Sequence, residues 1–190
     1  MKIPHVVFTY SDVYDLTLQR KPYTDKGLMK GWRFSQKVQK RWNKVERKTL
    51  GAMSRVSGLK WQEDKIDCFL VTKSKHYHAF SYPLTLTMWN NISWMFFILI
   101  HELGHRLKVQ NSKNLKPLRK SGLKSYSKET PNVRVHLAVM AIEFLTIKKL
   151  YGKKHAIACM ETYRKYKDYW RTWQIIQKEG PENILKLLRK

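Results

Sequence analysis

Cysteine is nearly absent from this chain of 190 residues, which has only Cys68 and Cys159 and no Cys-x-x-Cys pair. Two isolated thiols exclude a zinc ribbon and a disulfide-stapled scaffold. Cys68 lies in an apolar run, where a buried free thiol is the expected state. Because such usage suits a reducing compartment, we expect a cytoplasmic protein.

Long hydrophobic segments are also missing. The apolar run from Ile92 to Ile100 falls short of the roughly 20 residues that a bilayer span requires. The first residues, Met1-Lys2-Ile3-Pro4-His5, lack the apolar core of a signal peptide. We therefore expect a soluble, intracellular protein without a membrane span. The 43% hydrophobic content, with seven Trp, ten Tyr and seven Phe, excludes disorder and suffices for one globular core.

Acidic residues are few, since 14 Asp and Glu face 38 Lys and Arg and the net charge is +24. A field of this sign favours polyanions, either nucleic acid or an anionic membrane surface. The same charge is equally typical of a solvated, highly soluble surface. Composition alone therefore names no partner.

Hydrophobic periodicity predicts mostly helices with a small sheet. The expected elements are a β-like piece at Val6–Phe8 followed by turns, a helix over 30–57, strands over 65–72 and 80–88, and a helix from Asn90 or Asn91 to about 109. A basic loop over 110–131 follows, then helices over 131–151, 154–178 and 182–188. We predict one α+β domain over 1–190, with a core at about 30–151 and a basic helical part over 153–190.

The most specific motif is His101-Glu102-Leu103-Gly104-His105. On a helix, His101 and His105 lie one turn apart on the same face, so both imidazoles can bind one metal ion. Glu102 begins the adjacent row, where it can act as general base on a zinc-bound water. Without a metal, two imidazoles and a carboxylate on a buried helix need other partners. A histidine pair satisfied within the core is therefore the competing interpretation.

A third ligand must come from another element, because catalytic zinc keeps three protein ligands and one open position. On the helix predicted over 131–151, His136 and Glu143 lie within an apolar stripe opposite the basic side. They are two turns, or roughly 10 Å, apart, so one ion takes only one of them. Spacing alone does not distinguish a site of three histidines from a site of two histidines and one glutamate. The other residue would hydrogen-bond to a ligand or within the core.

From about residue 59 to 151 the chain resembles the zincin superfamily of metallopeptidases. The segments that carry the resemblance are Gly58-Leu59-Lys60-Trp61, Ile66 to Val71, Tyr82-Pro83-Leu84-Thr85-Leu86, Leu99 to His105, and Val135-His136-Leu137-Ala138-Val139. The chain is similar to small metallopeptidase-like proteins of phages and prokaryotes, whose helix after the motif opens with a His-apolar segment. The resemblance implies a zincin-like fold, Zn²⁺ as cofactor, the host cytoplasm for a phage-encoded chain, and His136 as third ligand with Glu143 as alternative.

Some zincin classes do not fit. Lys108 and Asn111 stand where metzincins continue with Gly and a third His, and the cysteine zinc module of zincins that act on DNA-bound proteins is missing. What the resemblance implies is a zinc metallopeptidase that hydrolyses peptide bonds, with Glu102 passing a proton from water to the leaving amine. An edge strand near 82–88 would hold the extended peptide or protein substrate.

Two further interpretations stay open. One is a nucleic-acid-associated accessory protein of phage type with a structural or inactive zincin fold, and the other is a protease acting on nucleoprotein substrates. Their support is the positive charge and a set of aromatic residues on the helix over 154–178 that could stack on bases: Tyr163, Tyr166, Tyr169, Trp170 and Trp173. An oxyanion donor is also needed, and the sequence does not choose among Tyr126, His76, Tyr77, His78 and His155.

Overall fold

The computed structural model describes residues 2–19, 24–72, 79–112 and 126–187. The fold is α+β and mostly helical, with a four-stranded mixed sheet, which confirms the predicted class. The strands are β1 (His5–Tyr10), β2 (Lys65–Val71), β3 (Ala79–Ser81) and β4 (Leu84–Thr87). The helices are α1 (Asp12–Gln19), α2 (Asp25–Asn43), α3 (Glu46–Ser57), α4 (Ile92–Gln110), α5 (Pro131–Tyr151), α6 (Lys153–Glu161), α7 (Lys167–Glu179) and α8 (Pro181–Lys186).

The chain folds into two compact units. One comprises Met1–Leu50 and Gln62–Leu103, and the other comprises Gly51–Trp61 and Gly104–Lys190. Helix α4 is continuous through the boundary at Leu103 and Gly104, so the predicted motif lies on a single helix. The single zincin-like domain over 1–190 stays a prediction.

The sheet of the first unit has the strand order β1-β2-β4-β3. β1 and β4 run parallel to β2, and β3 pairs with β4 in the antiparallel sense. The single edge strand predicted over 80–88 is therefore wrong, because the turn at Tyr82 and Pro83 divides it into β3 and β4, and of these two strands β3 lies at an edge while β4 is internal. All four residues of β4 are buried rather than every second one.

Helices α2 and α3 satisfy the outer edge of β1 with side chains. Gln39 accepts from the Phe8 amide and donates to the Val6 carbonyl, while Glu46 accepts from the Val6 amide and from Trp42 Nε1. Side chains that occupy an edge in this way protect it from pairing with another strand. The one helix predicted over 30–57 is two helices, because the chain turns between Asn43 and Glu46 and directs the Glu46 carboxylate back to β1.

Helix α5 is the centre of the second unit, and α6, α7 and α8 pack against it. Its start is as predicted, since the Thr130 hydroxyl accepts from the Val133 amide and Pro131 occupies the first turn. It ends at Gly152, whose φ of 91° favours glycine. The helix predicted over 154–178 is divided into α6 and α7 by a 3-10 turn at Thr162–Lys165 and an extended Tyr166.

Hydrophobic periodicity did not predict helix α1, where turns were expected. Its Asp15 carboxylate accepts hydrogen bonds from the Thr72 amide, the Thr72 hydroxyl and the Tyr10 hydroxyl, which joins α1 to the ends of β1 and β2. Most of the loop predicted over 110–131 lies outside the described residues. Within the described ranges, no helix combines the length and apolar character that crossing a membrane requires.

Gly31 sets how closely α2 approaches β1. A Cβ atom added there would lie 2.4 Å from the Tyr10 ring. Alanine is intrinsically favoured over glycine in helices by about 1 kcal/mol, yet this contact forces the ring or the helix to move. We expect Gly31→Ala to lower the free energy of unfolding by about 1–3 kcal/mol in denaturant titrations. The exposed Gln36→Ala on the same helix should change it by less than about 0.5 kcal/mol, and equal stabilities of the two variants would contradict this packing.

Candidate metal centre

Helix α4 begins where the sequence predicts. The Asn91 side chain accepts from the Trp94 amide and caps the first turn. The helix then continues unbroken to Gln110 and buries apolar side chains along most of its length. His101 is 3% exposed and His105 is half-buried one turn later. The local fold of the motif is therefore the helix that two-histidine metal binding requires.

A close helix contact brings His136 to the motif. A Cβ atom at Gly104 would lie 3.2 Å from Val139 Cγ1, so the glycine allows α4 and α5 to approach closely at this turn. The rings of His105 and His136 are 4.8 Å apart between centroids. With His101 they form a group whose candidate ligand atoms all lie within 4.8 Å of one another. The structure thus brings together three of the histidines that the sequence singled out.

The donor set fits zinc. Three imidazole nitrogens are a ligand set of catalytic zinc sites, and the ion keeps a fourth position for water or substrate. Nitrogens at tetrahedral zinc lie about 3.4 Å apart, given bonds of about 2.0–2.1 Å. Carboxylate-rich sites for calcium or magnesium are a different donor class.

His136 is held by its own helix and by an aromatic ring. Its Nδ1 lies 2.8 Å from the Asn132 carbonyl oxygen, and since a carbonyl only accepts, Nδ1 carries the proton and Nε2 is the candidate ligand atom. The Tyr169 ring packs at 4.4 Å from the imidazole. A backbone carbonyl behind a metal-binding imidazole fixes both its tautomer and its orientation. His136 is 6% exposed, which matches the buried face predicted for it.

The Glu102 carboxylate is oriented by a residue that the sequence analysis missed. The Ser81 hydroxyl, at the end of β3, donates to Glu102 Oε2 at 2.5 Å. Glu102 itself is half-buried on α4, next to His101. No spacing rule connects a serine on a short strand to a glutamate 21 residues later, so only the fold reveals this pair.

Glu143 belongs to a different cluster. Its carboxylate is fully buried and accepts from the Tyr163 hydroxyl at 3.0 and 3.2 Å and from the Cys159 thiol at 3.4 Å. Burial first, and then the Glu143 charge, raise the pKa of both Tyr163 and Cys159, so each keeps its proton and remains a donor at neutral pH. Glu143 is not a member of the histidine group.

Asn111 and the candidate oxyanion donors within the described ranges are not members of the histidine group. Asn111, at the position of the metzincin histidine, exchanges side-chain hydrogen bonds with the backbone of Lys60. His155 is exposed, and Tyr126 is half-buried with its pKa raised by burial and by Glu179. His76, Tyr77 and His78 lie outside the described residues. Trp173 is 3% exposed, and Tyr163 stacks on Tyr169 at 5.1 Å, so these aromatics of the predicted 154–178 helix pack internally.

No family model, no curated protein and no solved structure matches this chain.

The Glu143 cluster predicts a specific loss of stability. Tyr163→Phe removes a hydroxyl donor from a buried carboxylate, and we expect the free energy of unfolding to fall by about 1–3 kcal/mol. Tyr166→Phe is the matched control, because Tyr166 is exposed and removing its hydroxyl should change stability by less than about 0.5 kcal/mol. Equal denaturation midpoints for the two variants would show that the hydrogen bonds to Glu143 do not contribute.

Proposed function

We propose that the protein is a zinc-dependent metallopeptidase in which His101, His105 and His136 hold the metal and Glu102 is the general base. The observation that carries the proposal is that His101 and His105, which share one continuous helix with Glu102, form a compact group with His136 of α5. Two of these imidazoles are nearly inaccessible to solvent. Three imidazole nitrogens are a ligand set that catalytic zinc sites use.

Each residue of the site has a separate role in the proposed hydrolysis. Bound zinc would polarise the scissile carbonyl and lower the pKa of water toward about 7. Glu102 would accept a proton from the attacking water and deliver it to the leaving amine. Ser81 would hold the Glu102 carboxylate in one orientation, since its hydroxyl already donates to Oε2. The Asn132 carbonyl would keep the His136 ring turned so that Nε2 serves as ligand.

A peptide is the substrate class that the sheet suits. β3 is an edge strand, and its last residue, Ser81, contacts Glu102. An extended peptide that added to this edge would gain main-chain hydrogen bonds and run toward the general base. The predicted role of an edge strand is therefore kept for β3 and withdrawn for β4.

A protease acting on nucleoprotein substrates is the second candidate, and the net charge of +24 favours it. Positive charge would concentrate such a protein on nucleic acid through counterion release. We place either activity in the cytoplasm, where the free thiols of Cys68 and Cys159 would stay reduced. An accessory protein with an inactive zincin-like site is the remaining alternative.

Substitution of the general base tests the proposal. In Glu102→Gln we expect hydrolysis of a mixed-sequence quenched peptide library to fall by about 10²- to 10⁴-fold. Zinc content by atomic emission should stay near one ion per chain, because Glu102 is not a ligand. Glu179→Gln, an exposed glutamate of α7, is the control that should leave both quantities unchanged.

Two results would refute the peptidase. One is full activity of metal-free protein that keeps its native circular dichroism spectrum. The other is retention of hydrolysis by Glu102→Gln. Zinc binding without hydrolysis of any peptide by the unmodified protein would favour the inactive accessory protein.

A further inference from the structure

One face of α2 carries a continuous row of positive charge. Six exposed cations recur at spacings of three or four residues, or stand side by side, and they are Lys26, Lys30, Arg33, Lys37, Lys40 and Arg41. At 100° per residue they fall within about 100° of the helix circumference, and they extend over about 22 Å. Exposed Lys44, Arg47 and Lys48 continue the charge past the turn into α3. We call these nine residues the basic stripe.

Acidic side chains do not neutralise the basic stripe. Between Lys26 and Lys48 the sequence has one acid, Glu46, whose side chain is 15% exposed and is used by His5, Val6 and Trp42. No cation of the stripe forms an ion pair with a carboxylate of the described ranges. Like charges spaced this closely repel one another, and a polyanion would relieve that repulsion.

An apolar cleft lies along the flank of the stripe. Its volume is about 430 Å³, and its lining includes Trp32 and Met29 of α2 and the Phe8 and Tyr10 side of β1. Trp32 is 55% exposed and Met29 is 47% exposed, so both offer apolar surface to solvent. Asp12 also lines the cleft, where its carboxylate can accept from the amino groups of a base.

The basic stripe and the apolar cleft together favour one class of polyanion. The main apolar face of α2 is already buried, with Val38 and Trp42 fully inaccessible, and the exposed Trp32 and Met29 alone are too small an apolar surface for the helix to lie in a membrane interface. A duplex would use the charge but would keep its bases stacked away from the cleft. Single-stranded nucleic acid uses both features, because its phosphates can follow cations while an unstacked base enters an aromatic site.

We propose that the basic stripe and the Trp32 cleft form a binding site for single-stranded nucleic acid, with phosphates along α2 and a base stacked on Trp32. The site lies entirely within the first unit and uses no residue of the histidine group. It is therefore independent of the peptidase proposal, and Glu102→Gln should bind nucleic acid as the unmodified protein does.

The contribution of the basic stripe is tested by measuring the binding of labelled oligo(dT) by fluorescence anisotropy. An oligonucleotide of about 15 nucleotides is long enough, since single-stranded sites span about 4–16 nucleotides. The triple variant Lys30→Gln, Arg33→Gln, Lys37→Gln should reduce the slope of log K against log salt by about 2, at about 0.7 per phosphate contact. The matched control is Lys153→Gln, Lys154→Gln, Lys178→Gln, three exposed lysines of the second unit, which removes the same charge and should leave the slope unchanged. Equal losses in the two triples would overturn the site.

Stacking is tested separately. Trp32→Ala should weaken binding by about 5- to 150-fold with the salt slope unchanged, while Trp32→Phe should lose less because a ring remains. Tyr166→Ala, an exposed aromatic of the second unit, is the control that should have no effect. Unchanged affinity in Trp32→Ala, equal or tighter binding of a duplex of the same length, or equal stripe-dependent binding to phosphatidylserine vesicles would each overturn the proposal.

Discussion

Helices α4 and α5 meet closely at Gly104, where a side chain would press against Val139. The glycine lets the backbone of α5 approach α4 closely at this turn, since an added Cβ would lie 3.2 Å from Val139 Cγ1. His136 lies less than one turn before Val139, so the contact brings its ring to His105. The site thus depends on a packing constraint as much as on the histidines themselves.

Two clusters of polar side chains that include residues of α5 differ in their chemistry. His101, His105 and His136 present nitrogen atoms to one another, an arrangement suited to a cation. Glu143, two turns further along α5, instead faces the donors of Tyr163 and Cys159. On α5, His136 donates to the Asn132 carbonyl and Glu143 accepts from Tyr163 and Cys159, and hydrogen bonds of this kind are how such groups are retained in a core.

Much of this arrangement could be predicted from spacing alone. The i, i+4 histidines, the cap at Asn91 and the start of α5 at Pro131 are local signals and appear where expected. Local signals could not separate His136 from Glu143, because both occupy the buried face and only tertiary packing shows that His136 is the one beside His105.

Other errors have equally physical causes. The buried stripe keeps its helical spacing across the turn between α2 and α3, which hid the break at residues 44 and 45. The hairpin of β3 and β4 was hidden by a turn of only two residues. The bond from Ser81 to Glu102 is a tertiary contact and has no sequence signal.

The most direct test of the account is the zinc content of His136→Ala compared with that of Glu143→Gln, measured on protein of native circular dichroism. The account predicts about one zinc per chain in the unmodified protein and in Glu143→Gln, and a large loss of zinc in His136→Ala because only two protein ligands remain. Loss of zinc in Glu143→Gln with retention in His136→Ala, or no zinc in the unmodified protein, would contradict it.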